Sequence, residues 1–254
     1  MDWFEKLYTK DYIQLCGFGS PEQTAIEAAF LVDVLRLSSD SRLLDICCGF
    51  GRHTFAISNL VHCQIVGIDL SDEYLTIAKE QYSSPNITYL KKDMRDLQLE
   101  SRFDVVTNIF TSFGFFEHDE ENEQVMQEAN KALKQGGLFL VDIENKFNFV
   151  LNDVLKKEYY WEQIDEHTYC AIHNTYDVVH EREIFSATII EDGKDAIRVG
   201  YNIRLYSLPE LTSMLERNGF ELLNVWGDFD KRNYSLHSRR LITLAKKTRD
   251  LYLS

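Results

Sequence analysis

The chain has 254 residues, 44% of them hydrophobic, enough to bury the core of one large α/β domain or two small ones. Its formal charge of −14 disfavours nonspecific attraction to nucleic acid or to an anionic membrane, and three prolines, twelve glycines and the lack of any fixed-period repeat argue against disorder or a solenoid. The N-terminus is too charged for a secretory signal, no apolar run approaches the ~20 residues of a membrane span, and five cysteines without CxxC spacing fit a reduced, cytosolic setting.

In chain order, Ser20-Pro21-Glu22-Gln23 places a capping hydroxyl before a proline in the first turn of a helix. Ile26, Phe30, Val34 and Leu37 then recur at helical spacing and predict its buried stripe. "RLLDICC" reads as a buried strand, "RHTFAISNL" as a helix and "CQIVGIDL" as a second strand. "SDEYLTIAKEQY" is a helix with acids in its first turn, "NITYLKKD" a third strand and "FDVVTNIF" a fourth. A long helix reaching Gln135 and a fifth strand, "GGLFLVDIEN", follow. Near-continuous apolar strands alternating with amphipathic helices imply parallel strands covered on both faces, a doubly wound α/β sheet. From Tyr159 to about Tyr206 the chain is rich in Tyr, Ile, Val and Thr, with a turn at Glu191-Asp192-Gly193. That reads as antiparallel strands inserted into the α/β core. Ser207-Leu208-Pro209-Glu210 is a second capping box, Gly219 ends its helix, and "ELLNVWGDF" and "RLITLAKK" are the last strands.

The chemistry concentrates in "LLDICCGFGRHT", Leu43 to Thr54. Adjacent cysteines at a strand end cannot both point at one ion, and no second pair exists, which disfavours a metal site. The spacing is not that of a redox pair. A nucleotide-binding turn remains, in which glycines let the backbone approach a ligand at a helix N-terminus. Asp69 ends the second strand, where a carboxylate can accept both ribose hydroxyls, and Asp93 ends the third. All three features lie at the carboxyl edge of the sheet. Thr54 stands where a dinucleotide fingerprint needs its third glycine, and Asp45 before the loop suits a cationic ligand better than a pyrophosphate. S-adenosylmethionine (AdoMet) has a sulfonium and an ammonium and no phosphate, and fits better.

At these residues the chain resembles the class I AdoMet-dependent methyltransferases over nearly its whole length. The glycine loop matches "LDICCGFG", the ribose acid Asp69 in "GIDLS", the adenine-contacting pair Asp93-Met94, the segment after the fourth strand "NIFTSFGFF", and the fifth strand after a helix "ALKQGGLFLVDI". One departure is Cys47, where the family usually has the first glycine of the loop. The resemblance implies a seven-stranded Rossmann-like sheet with an inserted antiparallel β cap. Residues 1–145 would form N-terminal helices and the AdoMet-binding core, 146–206 the cap, and 207–254 the completion of the sheet. It implies that Asp45, Cys47, Gly49 and Gly51 face the methionine part of the cofactor and that Asp69 binds its ribose. Leu70 and Met94 would flank the adenine, Asp93 would lie near its amino group, and Asn108 with Ile109 would pass beside the sulfonium. Within the family, "FTSFGFF", the β-rich insertion and the late "GDF…Y…SRRL" segment, Gly227 to Leu241, are similar to small-molecule N-methyltransferases acting on amino sugars and peptide N-terminal amines.

The expected activity is therefore methyl transfer from AdoMet to a small-molecule acceptor, an amine rather than a hydroxyl, without nucleic acid, membrane or metal. An NAD-dependent oxidoreductase and a non-catalytic AdoMet-binding protein are the alternatives. Methyl transfer is an in-line displacement whose main demands are alignment and exclusion of water. His118 and Tyr234 are the catalytic candidates, with Tyr12, His237 and Arg239 as further positioning groups and Tyr8 and Tyr12 as residues that could close over the cofactor. Phe110, Phe113, Phe115 and Phe116 are expected around the acceptor, where ring faces would suit a cation.

Overall fold

The computed structural model describes residues 19–154 and 159–251, so Tyr8, Tyr12 and Cys16 lie outside the described residues. In chain order the elements are α1 (Pro21–Val34), β1 (Arg42–Ile46), α2 (Arg52–Leu60), β2 (Gln64–Asp69), α3 (Asp72–Gln81), β3 (Ile87–Lys91), β4 (Phe103–Asn108), α4 (Asp119–Ala132) and β5 (Leu133–Glu144). A short α5 (Lys146–Phe149) leads to β6 (Tyr159–Gln163), β7 (Thr168–Asp177), β8 (Arg182–Glu191) and β9 (Ile197–Arg204). The chain ends with α6 (Leu208–Arg217), β10 (Phe220–Trp226) and β11 (Arg240–Lys247).

The large sheet has seven strands in the order β10-β11-β5-β4-β1-β2-β3. Its five central and distal strands are parallel, and β11 runs antiparallel to both β5 and β10. Their apolar runs are buried because helices cover both faces: Leu44, Val106, Val141 and Phe139 belong to one core, and Leu43, Ile65, Val105 and Leu140 to the other. The helix starts follow their caps. Ser20 Oγ accepts from Gln23 N at 3.2 Å, Ser71 Oγ from Tyr74 N at 3.1 Å, and the Ser207–Glu210 capping box opens α6.

Two sequence expectations change. Ile26 is 54% exposed, and the buried face of α1 is made by Thr24, Glu27, Ala28, Phe30 and Leu31. That face is partly polar because it meets charged side chains of α2. The long helix stops at Ala132 and not at Gln135. Leu133 is already extended (φ −76°, ψ 141°), pairs with Phe103 of β4 and is fully buried.

β6, β7, β8 and β9 form a second, antiparallel sheet that lies between β5 and α6 in the chain. Cys170, Ile172, Ala187, Ile189 and Val199 make its own core. It meets the large sheet at the segment after β4, where Arg204 N donates to Gly114 O at 2.8 Å. Gly114 has φ +111°, and a Cβ there would collide with the Arg204 carbonyl, so only glycine permits the approach. Among the described residues no helix is long and apolar enough to cross a membrane.

Candidate active site

The site grows from the loop between β1 and α2. Cys47, Gly49 and Gly51 all have positive φ (+59°, +56° and +89°), so the chain turns through three left-handed residues before α2 begins. At Gly51 a Cβ would sit 2.5 Å from Tyr89 Oη and 3.1 Å from Ala78 Cβ, so glycine is obligatory there. This turn puts Gly49 N within 2.9 Å of Asp69 Oδ2, to which it donates. Ser71 N donates to Asp69 Oδ1, also at 2.9 Å. The two N–H groups fix the carboxylate at the end of β2, and burial nonetheless lifts its pKa above the usual carboxylate range.

Asp45, in β1, is 1% exposed and held from two sides. Thr54 Oγ1 of α2 donates to one of its oxygens at 2.6 Å and Thr107 Oγ1 of β4 to the other at 3.0 Å. Burial raises its pKa as well, against the pull of both hydroxyls and of the neighbouring His53 and Arg52. Cys47 and Cys48 are separate thiols: the first donates to Met94 Sδ at 3.4 Å and the second to the Gly49 carbonyl at 3.7 Å. Burial pushes both well above a free thiol's range, so neither is a nucleophile or a ready metal ligand at neutral pH.

A cavity of ≈ 1580 Å³ runs from this loop to the inner side of the second sheet. Asp45, Cys47, Gly49, Asp69, Leu70 and Met94 line one half. Three other anticipated cofactor residues are placed differently. Gly51 shapes the loop from beneath. Asp93 is engaged by Arg95, which donates to it through Nη2 at 2.7 Å and through its backbone N at 2.8 Å. Burial raises the Asp93 carboxyl, but the Arg95 contacts prevail and hold it below the usual range. Asn108 is fully buried outside the lining; its Nδ2 reaches Ile46 O at 3.5 Å and its Oδ1 has no partner among the described residues. Ile109 and Phe110 face the cavity in its place.

The other half of the cavity brings Phe115 and Phe116 against Phe185 and Tyr201 of the second sheet. Phe115 meets Tyr201 edge-on with ring centres 6.0 Å apart, and Phe185 stacks on Tyr201 at 4.9 Å. Phe113 is fully buried and packs on Tyr206, away from the cavity. His118 lies exposed on the rim, at the start of α4. Tyr234 lies outside the lining: its hydroxyl donates to Asn145 Oδ1 at 3.0 Å. Asn145 also donates to the carbonyls of Ser235 and Ser238, so Tyr234 belongs to a buried knot that pins the segment before β11. His237 is exposed outside the lining, whereas Arg239 is exposed within it.

Several residues at the site carried no sequence signal beyond the pair after the glycine loop. Glu27 of α1 takes Arg52 Nη1 at 2.9 Å and His53 Nε2 at 2.6 Å. Burial works to raise Glu27, yet these partners bring it down to about 2, while burial lowers His53. Across the cavity, Asp142 of β5 pairs with Arg240 of β11 at 2.7 Å and accepts from Phe110 N at 2.8 Å. It thereby holds Phe110 and Thr111 at φ +61° and +59°, two non-glycine residues in the left-handed region. The Phe110 ring then lies under two guanidinium groups, Arg52 at 4.5 Å and Arg240 at 5.6 Å.

The methyltransferase domain family matches residues 43–137, the stretch from β1 into β5. The chain is 30% identical over 134 residues to the dTDP-3-amino-3,4,6-trideoxy-alpha-D-glucopyranose N,N-dimethyltransferase of Streptomyces venezuelae, covering 52% of this chain and 55% of that one. It is 24% identical over 242 residues to the cypemycin N-terminal methyltransferase of a Streptomyces species, covering 89% and 97%. The CcbJ methyltransferase of Streptomyces caelestis has a similar fold, with a TM-score of 0.82 at 19% identity over 98% of this chain and all of that one. The dinucleotide-oxidoreductase alternative finds no support among these relatives. The stretch that spans the glycine loop and the first four strands thus carries a methyltransferase domain, on a fold shared with a solved methyltransferase.

Proposed function

We propose that the chain methylates the nitrogen of a small molecule, with the cofactor in the glycine-loop half of the cavity and the acceptor between Phe110 and the second sheet. The continuity of the cavity carries this reading: one space joins Asp45 and Asp69 to Phe115, Phe185 and Tyr201. The lining suits AdoMet in its donor set. Asp69 presents a fixed carboxylate for ribose hydroxyls, and Asp45 places negative charge near the cationic amino-acid end. Leu70 and Met94 offer apolar sides for the adenine. A Cβ on Gly49 would have only the Tyr74 ring within 4 Å, so the cavity side of the loop is open to a ligand. Bound there, AdoMet supplies an activated methyl group. The chain's work is to orient the acceptor, exclude water and keep its nitrogen neutral. Of the two catalytic candidates, His118 lines the rim, where it can take the departing proton, while Tyr234 has its hydroxyl committed to Asn145.

Relatives that act on an amino sugar and on a peptide N-terminus support an amine acceptor. The second sheet, within 146–206, shapes the acceptor end and makes a small molecule the better fit than a polynucleotide. Calorimetric titration with S-adenosylhomocysteine, with NADH alongside, tests the cofactor half. Binding of the first alone is expected, followed by methylation within a panel of amines, alcohols and thiols. Turnover confined to the alcohols would overturn the nitrogen assignment.

A further inference from the structure

Arg52 is an unusual residue for a cavity wall. Its side chain is 8% exposed, and its Nη1 is fully used on Thr24 Oγ1 and Glu27 Oε2, both at 2.9 Å. Its Nη2 is buried and has no hydrogen-bond partner among the described residues, although Arg52 lines the cavity. An unsatisfied N–H on a buried cation is costly, and the natural remedy is an anion. A second cation faces the same space. Arg239 is exposed, lines the cavity and has no side-chain partner among the described residues. Arg240, next to it, spends Nε and Nη2 on Asp142 and Thr111. The three guanidinium groups are offset by two buried carboxylates, Glu27 and Asp142, with His53 depressed towards its neutral form. Glu144 and Asp45 also line the cavity, so the wall carries no net positive charge, and what an anion would meet there is the two unpaired donors, Arg52 Nη2 and the Arg239 guanidinium.

We propose that this wall is an anion-binding subsite, formed by Arg52 Nη2 and Arg239, which line the same cavity, and that it receives a carboxylate or phosphate group carried by the acceptor. The proposal rests on the acceptor lying beyond Phe110, as argued above. It narrows the acceptor to a molecule with an acidic group within reach of its methylated atom. Phe110 makes the geometry specific. Asp142 and Arg240 fix its strained backbone, so its ring holds the Arg52 guanidinium in place at 4.5 Å. Arg52 reaches from the glycine-loop side to the end of β4, and Arg239 approaches from the start of β11, so an anion between them sits over the strand end beside the reacting centre.

The test uses the full chain saturated with S-adenosylhomocysteine. Inorganic phosphate and acetate are titrated into wild type, Arg239→Met and Arg52→Met by calorimetry. Turnover is then compared for matched acceptors with and without an acidic group, such as phosphoethanolamine against ethanolamine and glycine against methylamine, with hydroxyl and thiol pairs run in parallel. Wild type should bind one of the two anions, which also tells phosphate from carboxylate. Arg239→Met, an exposed change that leaves the fold alone, should weaken that binding by roughly tenfold, the loss expected for a hydrogen bond to a charged group. Absence of binding by either anion together with equal turnover across each pair overturns the proposal. So does a selective loss of S-adenosylhomocysteine affinity in Arg52→Met with 5′-methylthioadenosine affinity kept, because the anion would then be the cofactor's own carboxylate. An acidic-group preference seen only in the hydroxyl or thiol pairs would retain this subsite while rejecting the nitrogen assignment.

Discussion

Asp69 shows how a single side chain is made ready for a ligand. Its two oxygens each accept a backbone N–H, from Gly49 and from Ser71, at 2.9 Å, which locks the carboxylate plane without using a side-chain cation. No salt bridge among the described residues competes for it, in contrast to Asp93, which Arg95 clasps. Asp69→Ala is expected to weaken AdoMet binding by one to two orders of magnitude, about 1.5–3 kcal/mol, as for lost hydrogen bonds to a charged acceptor. Calorimetry on a variant shown to be folded measures this, and unchanged affinity would remove Asp69 from the ribose assignment. The place of Asp69 on the cavity wall was legible in the sequence because a strand's end and an acid coincide in "VGIDLS". Asp93 has the same sequence signature, but the arginine two residues on captures it. Cys47 is the converse case: a side chain stands at φ +59°, where the family's pattern has glycine, and the chain accepts the strain to place Sγ against Met94.

At the scale of elements, the strands and their loops follow from the sequence and the face of α1 does not. Near-continuous apolar runs alternating with amphipathic helices read as parallel strands between two helical layers, and β1 to β5 pair in that way. In α1 the periodicity of Ile26, Phe30 and Val34 competes with that of Glu27, Ala28 and Leu31. The polar-containing stripe is the buried one because Glu27 meets Arg52 and His53, residues about 25 positions away that no local pattern links to it. This contact has a pH signature. Glu27 falls from its ordinary 4.5 to about 2 in the folded chain. A depressed carboxylate contributes its full stability above its unfolded pKa and loses it as pH falls through the folded one. The helix pair α1–α2 should therefore lose on the order of 3 kcal/mol between pH 4.5 and 2, since the carboxylate is almost fully enclosed. Burial also lowers His53, which acts in the same direction because its protonation at acid pH favours the unfolded chain. Denaturant titrations of wild type and Glu27→Gln across this window should converge as the pH drops. Parallel curves would mean that Glu27 does not carry the acid sensitivity.

For the molecule as a whole, the two sheets must hold a fixed relation if a methyl group is to pass between ligands bound to each. The turn at Glu191-Asp192-Gly193 and the wealth of Tyr, Ile, Val and Thr around it made the second sheet readable from the sequence, but not where it docks. Docking depends on Gly114 and on a cluster of charges drawn from four separate segments. Arg204, at the end of β9, contacts Glu210 of α6 at 2.7 Å and Glu181 before β8 at 2.8 Å. Lys146 of α5 joins the same two carboxylates at 3.1 and 2.7 Å. Arg204 and Lys146 are nearly buried and the carboxylates about one-third exposed, so the cluster is worth more than a surface pair and less than an enclosed one. Arg204→Met removes the cation that links α6 to the second sheet while keeping the aliphatic volume over Tyr206, whose ring lies 4.8 Å from the guanidinium. The expected loss of stability is about 2 kcal/mol. The functional effect should be one-sided. Asp45, Gly49 and Asp69 belong to the large sheet and its loops, so affinity for S-adenosylhomocysteine should stay within about twofold, well under 1 kcal/mol. The acceptor end, built from Phe185 and Tyr201 on the far side of the joint, should lose definition, and KM for the acceptor should rise several-fold, about 1 kcal/mol. A parallel fall in cofactor affinity would show instead that the joint supports both halves of the cavity, and that the second sheet is part of the cofactor site.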